Sequence, residues 1–251
     1  MRGTVIEPSS EDYHVARTIF NGMIDRYPAL ICRCIDTEDV RTCLRYSTDH
    51  GLGFSVRGGG HNVAGSAIRE SGMVIDLSAM KGVVVDPVQR RVTVRSGVRL
   101  GEMDRETQAY GLAVPAGIIS DTGIAGLALG GGLGWLMGRF GLTCDNLLSA
   151  NVVLADGSLA HAGDVNGGDP DLLWALRGAG ANFGIVTSFV FSAYALSGVV
   201  AGSLTYSLSE ASAALQQFAL MADGFPDELT CSVSVQLPSP TDRAILRNSF
   251  V

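Results

Sequence analysis

The sequence predicts an α+β protein of two lobes followed by the start of a further α+β segment. Three observations carry this reading. A strand–helix–strand alternation runs from Ala29 to Leu77, paired β-rich runs take over from Val83, and two glycine-rich stretches, Arg57–Gly65 and Pro115–Asn146, interrupt the regular elements where chains usually turn or bind.

Taken in order, Ala29–Ile35 alternates as a strand, and Thr37 can cap a helix whose positions Val40, Cys43, Leu44 and Ser47 recur at helical spacing until Gly51 ends it. Phe54-Ser55-Val56 is the next strand and Met73–Leu77 another. Val83–Pro87 and Arg91–Arg95 are β-rich runs joined by a polar turn, and a helix follows from Leu100 to about Tyr110; together they open the second lobe. Leu147–Leu154 and Leu159–Ala162 flank Asp156-Gly157, a strong hairpin signal. A helix over Asp171–Arg177 and a strand over Ile185–Phe191 close this lobe. Beyond it, Val199–Tyr206 reads as a strand, Glu210–Met221 as an amphipathic helix and Thr230–Leu237 as an alternating strand, before Pro238-Ser239-Pro240 leads to a short tail.

The first glycine stretch, Arg57-Gly58-Gly59-Gly60-His61-Asn62-Val63-Ala64-Gly65, begins at the carboxyl end of a strand, where open α/β sheets commonly bind ligands. Three successive residues without Cβ let backbone N–H groups turn toward one point, which makes a concave anion site. Arg57 would add a fixed positive charge, and His61 a nucleophile or proton carrier at the lip. A plain surface turn with a solvated histidine is the competing reading. In the second stretch Gly123, Gly126, Gly130, Gly134 and Gly138 fall three or four residues apart, so on a helix they would line one face with bare backbone. Each such glycine costs roughly 1 kcal/mol relative to Ala, so a close contact must compensate, either with a ligand or with a packed neighbour. Ser120-Asp121-Thr122 supplies hydroxyl and carboxylate groups at the start of this run.

With 251 residues, 47% hydrophobic and 17% charged, the chain describes a globular protein with a substantial core. A formal charge of −7 offers no general attraction to nucleic acid or anionic membrane. Met1–Pro8 carries no apolar run, so no signal peptide is expected, and the apolar stretch Ile185–Leu204 is too interrupted by polar residues and glycine for a membrane span. Cys32, Cys34, Cys43, Cys144 and Cys231 are odd in number and form no metal-ligand spacing, so they read as reduced, mostly buried thiols of a cytoplasmic protein with no metal. Gly-x-Gly-x-x-Gly does not occur, and the only lysine, Lys81, has no P-loop context, so a bound nucleotide must be held in another way.

The two glycine stretches, with Asp171-Leu172-Leu173-Trp174-Ala175-Leu176-Arg177-Gly178-Ala179-Gly180-Ala181-Asn182-Phe183-Gly184-Ile185-Val186-Thr187, resemble three motifs of the FAD-linked oxidases of the berberine bridge enzyme and vanillyl-alcohol oxidase type, in the same order. The resemblance spans roughly Arg26 to Phe191. It implies a two-lobed FAD-binding domain of the PCMH type over residues 26–195, after an N-terminal segment, 1–25, and before a partial substrate domain, 196–251. It implies FAD held with its pyrophosphate between the lobes by Arg57, Gly58, Gly59, Gly60, His61, Asn62 and Gly65 from the first loop. From the second segment it implies Pro115, Ala116, Gly117, Ser120, Asp121, Thr122, Gly123, Gly126, Gly130, Gly131, Gly132, Gly134 and Asn146, joined by Ile185 and Val186. It further implies that His61 is bonded to the flavin 8α-methyl carbon. Some members carry a second tether on a cysteine; here that position is Ile119, so a single tether is expected.

The functions implied are an oxidase of an alcohol, sugar or similar small molecule with oxygen as acceptor, or a non-catalytic FAD-binding fragment. Family members are longer, and in the berberine-bridge branch the catalytic base comes from the part not matched here, so no base is named. With Thr230–Leu237 as the last strand, an unpaired edge and an exposed apolar face are expected, and with them self-association and an open flavin site.

Overall fold

Three short segments, each carrying a Val or Ile, become parallel neighbours in the first sheet. The computed structural model describes residues 1–163, 168–236 and 245–251. Its first lobe holds β1 (Thr4–Ile6), α1 (Tyr13–Ala16), β2 (Leu30–Arg33), α2 (Thr37–Asp49), β3 (Phe54–Arg57) and β4 (Met73–Asp76). The sheet order is β1-β2-β4-β3, with β2, β4 and β3 parallel and β1 antiparallel at the edge. Asp36, rather than Thr37, caps α2, its carboxylate accepting from the Asp39 amide at 2.9 Å. Gly51 takes a left-handed φ of 59° just past the helix end. Strand β1 carries no pattern that marks it in the sequence; it adheres through pairing with β2 and buries Ile6.

The second lobe comprises β5 (Val83–Asp86), β6 (Arg91–Arg95), α3 (Leu100–Gln108), β7 (Leu112–Ala113), α4 (Ile124–Leu129), α5 (Met137–Phe140), β8 (Leu147–Val153), β9 (Leu159–Gly163), α6 (Pro170–Leu176) and β10 (Ile185–Ser192). Its five strands are antiparallel in the order β5-β6-β10-β8-β9. The predicted hairpin around Asp156-Gly157 joins β8 to β9. Phe189, Phe191, Val92, Val94 and Leu147 pack beneath α3, α4 and α6. Val153 and Ile185 of this sheet join Cys43, Leu44, Met73 and Ile75 in one cluster, so the lobes share apolar contacts.

β11 (Tyr194–Ala195) pairs with β7, and the chain then enters a third sheet. It contains β12 (Gly202–Ser207), β13 (Cys231–Gln236) and β14 (Ile245–Phe250), with α7 (Ala211–Ala222) between the first two. β14 lies between β12 and β13, antiparallel to both. This corrects the expectation that the Thr230–Leu237 strand has no following partner: Ile245–Phe250, read as tail, supplies ladder hydrogen bonds to both neighbours, which its weak alternation did not announce. Leu237, Pro238, Ser239 and Pro240, expected as strand end and turn, lie outside the described residues. No helix among the described residues is long and apolar enough to cross a membrane.

The glycine helix also needs correction. Only Gly126 lies inside α4, with Gly123 and Gly130 at its ends, because the chain leaves the helix at Gly131 and Gly132, whose φ values of 110° and 84° no right-handed helix accepts.

The register of the first sheet brings Arg33, Asp76 and Arg57 side by side at the carboxyl ends of β2, β4 and β3. Asp76 Oδ2 lies 2.7 Å from Arg57 Nη2 and 3.5 Å from Arg33 Nε, and Oδ1 accepts the Ser78 amide at 3.0 Å. Burial alone pushes the Asp76 carboxyl up; the Arg57 hydrogen bond and charge, with Ser78, more than offset it and hold it below the usual carboxylate range. The stabilisation is therefore fully present above the unfolded value of about 3.9 and is lost as pH falls through the lower folded value. Asp76→Asn is expected to cost about 3 kcal/mol at neutral pH, since it strands a buried guanidinium. Urea unfolding from pH 7 to pH 3 should show that gap shrinking only in the acid range; a gap independent of pH would disprove the assignment.

Candidate cofactor-binding cleft

β3 ends at Arg57, and the three glycines follow at once along the wall of a cleft of about 620 Å³ between the lobes. The opposite wall is α4 and the residues leading into it. Gly59 and Gly123 meet backbone to backbone, and a Cβ on either would overlap the amide nitrogen of the other. Hydrogen bonds from Leu100 N to Thr122 O (2.9 Å) and from Ile124 N to Val98 O (3.0 Å) fasten Gly123 to the second lobe.

The amides of Gly58, Gly59, Gly60, His61 and Asn62 donate to no acceptor among the described residues. Consecutive N–H groups at a half-buried loop call for an acceptor from outside the chain, and a diphosphate provides several. Across the cleft a Cβ at Gly126 would find nothing within 4 Å, so bare helix backbone faces open space. The donor set and the open glycine face fit the pyrophosphate and flat ring of FAD.

Gly58, Gly59, Gly60, His61 and Asn62, with Thr122, Gly123, Gly126 and Gly130, line the cleft. Others of the expected site residues stand behind its walls. The Arg57 guanidinium, expected as a charge for the phosphates, is buried beneath the loop, where it pairs with Asp76 and donates to Ala16 O. Gly65 packs on Ile24, Gly117 on Leu127 and Gly134 on the Ala116 carbonyl, beside buried Pro115. The carbonyls of Gly131 and Gly132 accept the Cys144 and Thr143 amides at 2.9 and 3.0 Å, and that of Ser120 accepts the Gly101 amide at 2.9 Å. Asn146 is buried, its Nδ2 donating to Phe140 O and Leu142 O (2.9 and 2.8 Å) and its Oδ1 accepting from Tyr194 Oη at 2.8 Å, which makes it a knot under the second loop. Ile185 and Val186 lie in the core rather than in the cleft.

Phe54, Ser55, Val56, Ser66, Ala67, Leu127, Leu129 and Gly180 also line the cleft, and sequence reasoning missed them. Phe54 was the legible one, an exposed aromatic at the start of the strand that leads into the glycine loop. His61 lies against Phe20 with ring centroids 4.5 Å apart and planes at 16°. Its Nε2 stands 3.5 Å from Asp121 Oδ2, and Asp121 Oδ1 pairs with Arg99.

The thiols take no part here. Cys32, Cys34 and Cys43 are buried together between β2 and α2, with Cys34 and Cys43 Sγ atoms 3.8 Å apart. Hydrogen bonding to Cys43 and burial push the Cys32 thiol up, while Cys43, which the hydrogen bond with Cys32 alone would lower, is pushed up to about 12 by hydrogen bonding with Cys34 and by burial.

Residues 28–163 match a family model described as an FAD binding domain. The chain is 38% identical to (R)-6-hydroxynicotine oxidase of Paenarthrobacter nicotinovorans over 83% of its own length and 45% of that protein's. It is 36% identical to glucooligosaccharide oxidase of Sarocladium strictum, over 75% of this chain and 38% of the relative. The crystal structure of 6-hydroxy-D-nicotine oxidase from Arthrobacter nicotinovorans superposes with a TM-score of 0.93 at 34% identity, covering all of this chain and 55% of that one. The chain thus spans about half the length of the relatives it matches.

Two glycine substitutions separate the roles of the walls. Gly126→Ala should stabilise the cofactor-free protein by roughly 0.5–1 kcal/mol, because its Cβ enters open space on a helix. Gly59→Ala should cost roughly 1–3 kcal/mol by forcing two backbones apart. Thermal unfolding reads both, and equal effects would mean that the two loops do not touch.

Proposed function

Since the chain belongs to the FAD binding domain family, that of the FAD-linked oxidases of the berberine bridge enzyme and vanillyl-alcohol oxidase type, we propose that it holds FAD in this cleft, tethered through His61, and oxidises a small alcohol, sugar or related molecule with dioxygen as acceptor. The single observation that carries the reading is the row of amides from Gly58 to Asn62 without a protein acceptor. FAD, when bound, supplies the hydride-accepting redox chemistry that side chains do not.

The chain's own part is to bind, orient and exclude water. The amides of the first loop hold the diphosphate in place of side-chain cations, with Arg57 fixing the loop from beneath. Gly126 and Gly130 let the ring approach backbone, and Phe54, Val56, Leu127 and Leu129 give it apolar walls. His61 reaches the cleft from the end of the loop, and Ile119, half exposed, offers no second bond. In the overall reaction two electrons and two protons leave the substrate and end on dioxygen as hydrogen peroxide. The names of the relatives, a hydroxynicotine oxidase and a glucooligosaccharide oxidase, support a small organic substrate.

Acid-denatured protein is expected to keep a fluorescent flavin on the chain, and His61→Ala to release it. Mass spectrometry of tryptic peptides should place the flavin on the His61 peptide alone; complete loss of flavin from wild-type protein on denaturation would refute the tether. Gly126→Ala, stabilising without cofactor, should weaken FAD uptake by about tenfold or more, roughly the effect of a methyl group forced against a fitted ring.

A further inference from the structure

Asp121 divides its carboxylate between two partners: Oδ2 lies 3.5 Å from His61 Nε2, and Oδ1 pairs with Arg99 Nη1. The imidazole is held from two directions. Phe20 covers one face at 4.5 Å, and Phe20 is itself anchored by its amide to Gly60 O at 3.1 Å. Asp121 stands at the Nε2 edge, while the residue as a whole lines the cleft. In a neutral imidazole one nitrogen carries the proton and the other the lone pair, and a carboxylate beside one nitrogen draws the proton there. Arg99 keeps Asp121 in place from behind, with its own amide donating to Glu102 Oε2 at 2.7 Å.

We propose that Asp121 is a positioning residue for His61, holding the Nε2–H tautomer so that Nδ1 presents its lone pair to the flavin 8α carbon. The proposal deepens the tether reading and rests on it. In the step, an N–C bond forms between Nδ1 and the 8α carbon, and one C–H bond of that methyl group breaks. The ring becomes positively charged as the bond forms, and the neighbouring carboxylate stabilises that charge and passes the Nε2 proton to solvent. The electron pair of the broken C–H bond leaves by way of the flavin to dioxygen, which takes up two protons, those lost from the methyl group and from Nε2, to give hydrogen peroxide.

The test uses flavin-free protein prepared under riboflavin limitation, as wild type, Asp121→Asn, Asp121→Glu and Arg99→Met. The Asp121 side chain is 61% exposed, so its replacement leaves the core untouched. Without flavin, nitrogen–proton correlation spectra should show one His61 tautomer, protonated at Nε2, in wild type and a mixture in Asp121→Asn. With FAD added in air at matched non-covalent occupancy, mass spectrometry of denatured samples should show covalent incorporation slowed about tenfold to a hundredfold in Asp121→Asn and largely recovered in Asp121→Glu. Arg99→Met, which leaves the carboxylate, should slow it less than Asp121→Asn. The flavopeptide should carry its bond at Nδ1. If wild type never bonds flavin, the tether reading falls and this proposal with it. If wild type bonds flavin and Asp121→Asn does so at the same rate with the same tautomer spectrum, only the role of Asp121 is overturned.

Discussion

The carboxylate of Asp76 sets the geometry on which the cleft depends. Three parallel strands end at Arg33, Asp76 and Arg57, and one buried anion between two guanidinium groups ties those ends together. A buried charge is tolerable only when paired and hydrogen-bonded, and here Arg57 and the Ser78 amide meet both conditions. The glycine loop leaves the sheet from Arg57 itself. Its direction is therefore inherited from an ion pair, and residues with no side chain of their own can hold a defined curve. Arg57 O also accepts the Leu77 amide at 2.8 Å, so β4 and its continuation brace the loop from the main chain as well.

The two lobes contribute different chemistry to the site. The first offers backbone donors, His61 and the apolar side chains of Phe54 and Val56; the second offers bare helix surface with Leu127 and Leu129. The N-terminal segment joins them from outside: Asn21 Nδ2 donates to Val63 O, Arg26 Nη1 to the carbonyls of Gly65 and Ile68, all at 2.8 Å, and Phe20 rests on the histidine ring. A stretch without regular structure thus becomes part of the site's frame, because its polar side chains satisfy carbonyls that the glycine loop leaves over.

How much of this could be read in the sequence varies with the range of the interaction. The strand before the loop, the glycine triplet and the hairpin at Asp156-Gly157 are local signals, and each lies where it was expected. The role of Arg57 was hidden because its partner is 19 residues away and faces it only through sheet register. Gly123 to Gly138 share a helical spacing, yet the chain departs from helix at Gly131; spacing reports a face only where φ stays negative. Ile245–Phe250 gave no strand signal strong enough to outweigh its polar residues, and it is placed by the two strands that flank it. Ile185 and Val186 lie in the shared core beside the cleft, a distinction of depth that a linear motif does not contain.

The contact between Gly59 and Gly123 limits how this chain can change over evolutionary time. In most packed pairs a larger residue on one side is accommodated by a smaller one opposite, so mutations come in compensating couples. Here each Cβ would strike main chain, and the opposite residue has no side chain left to give up. No second substitution at the facing position can relieve the first. The two positions are constrained jointly, and a descendant that alters either must shift one loop against the other and carry that cost without a compensating partner.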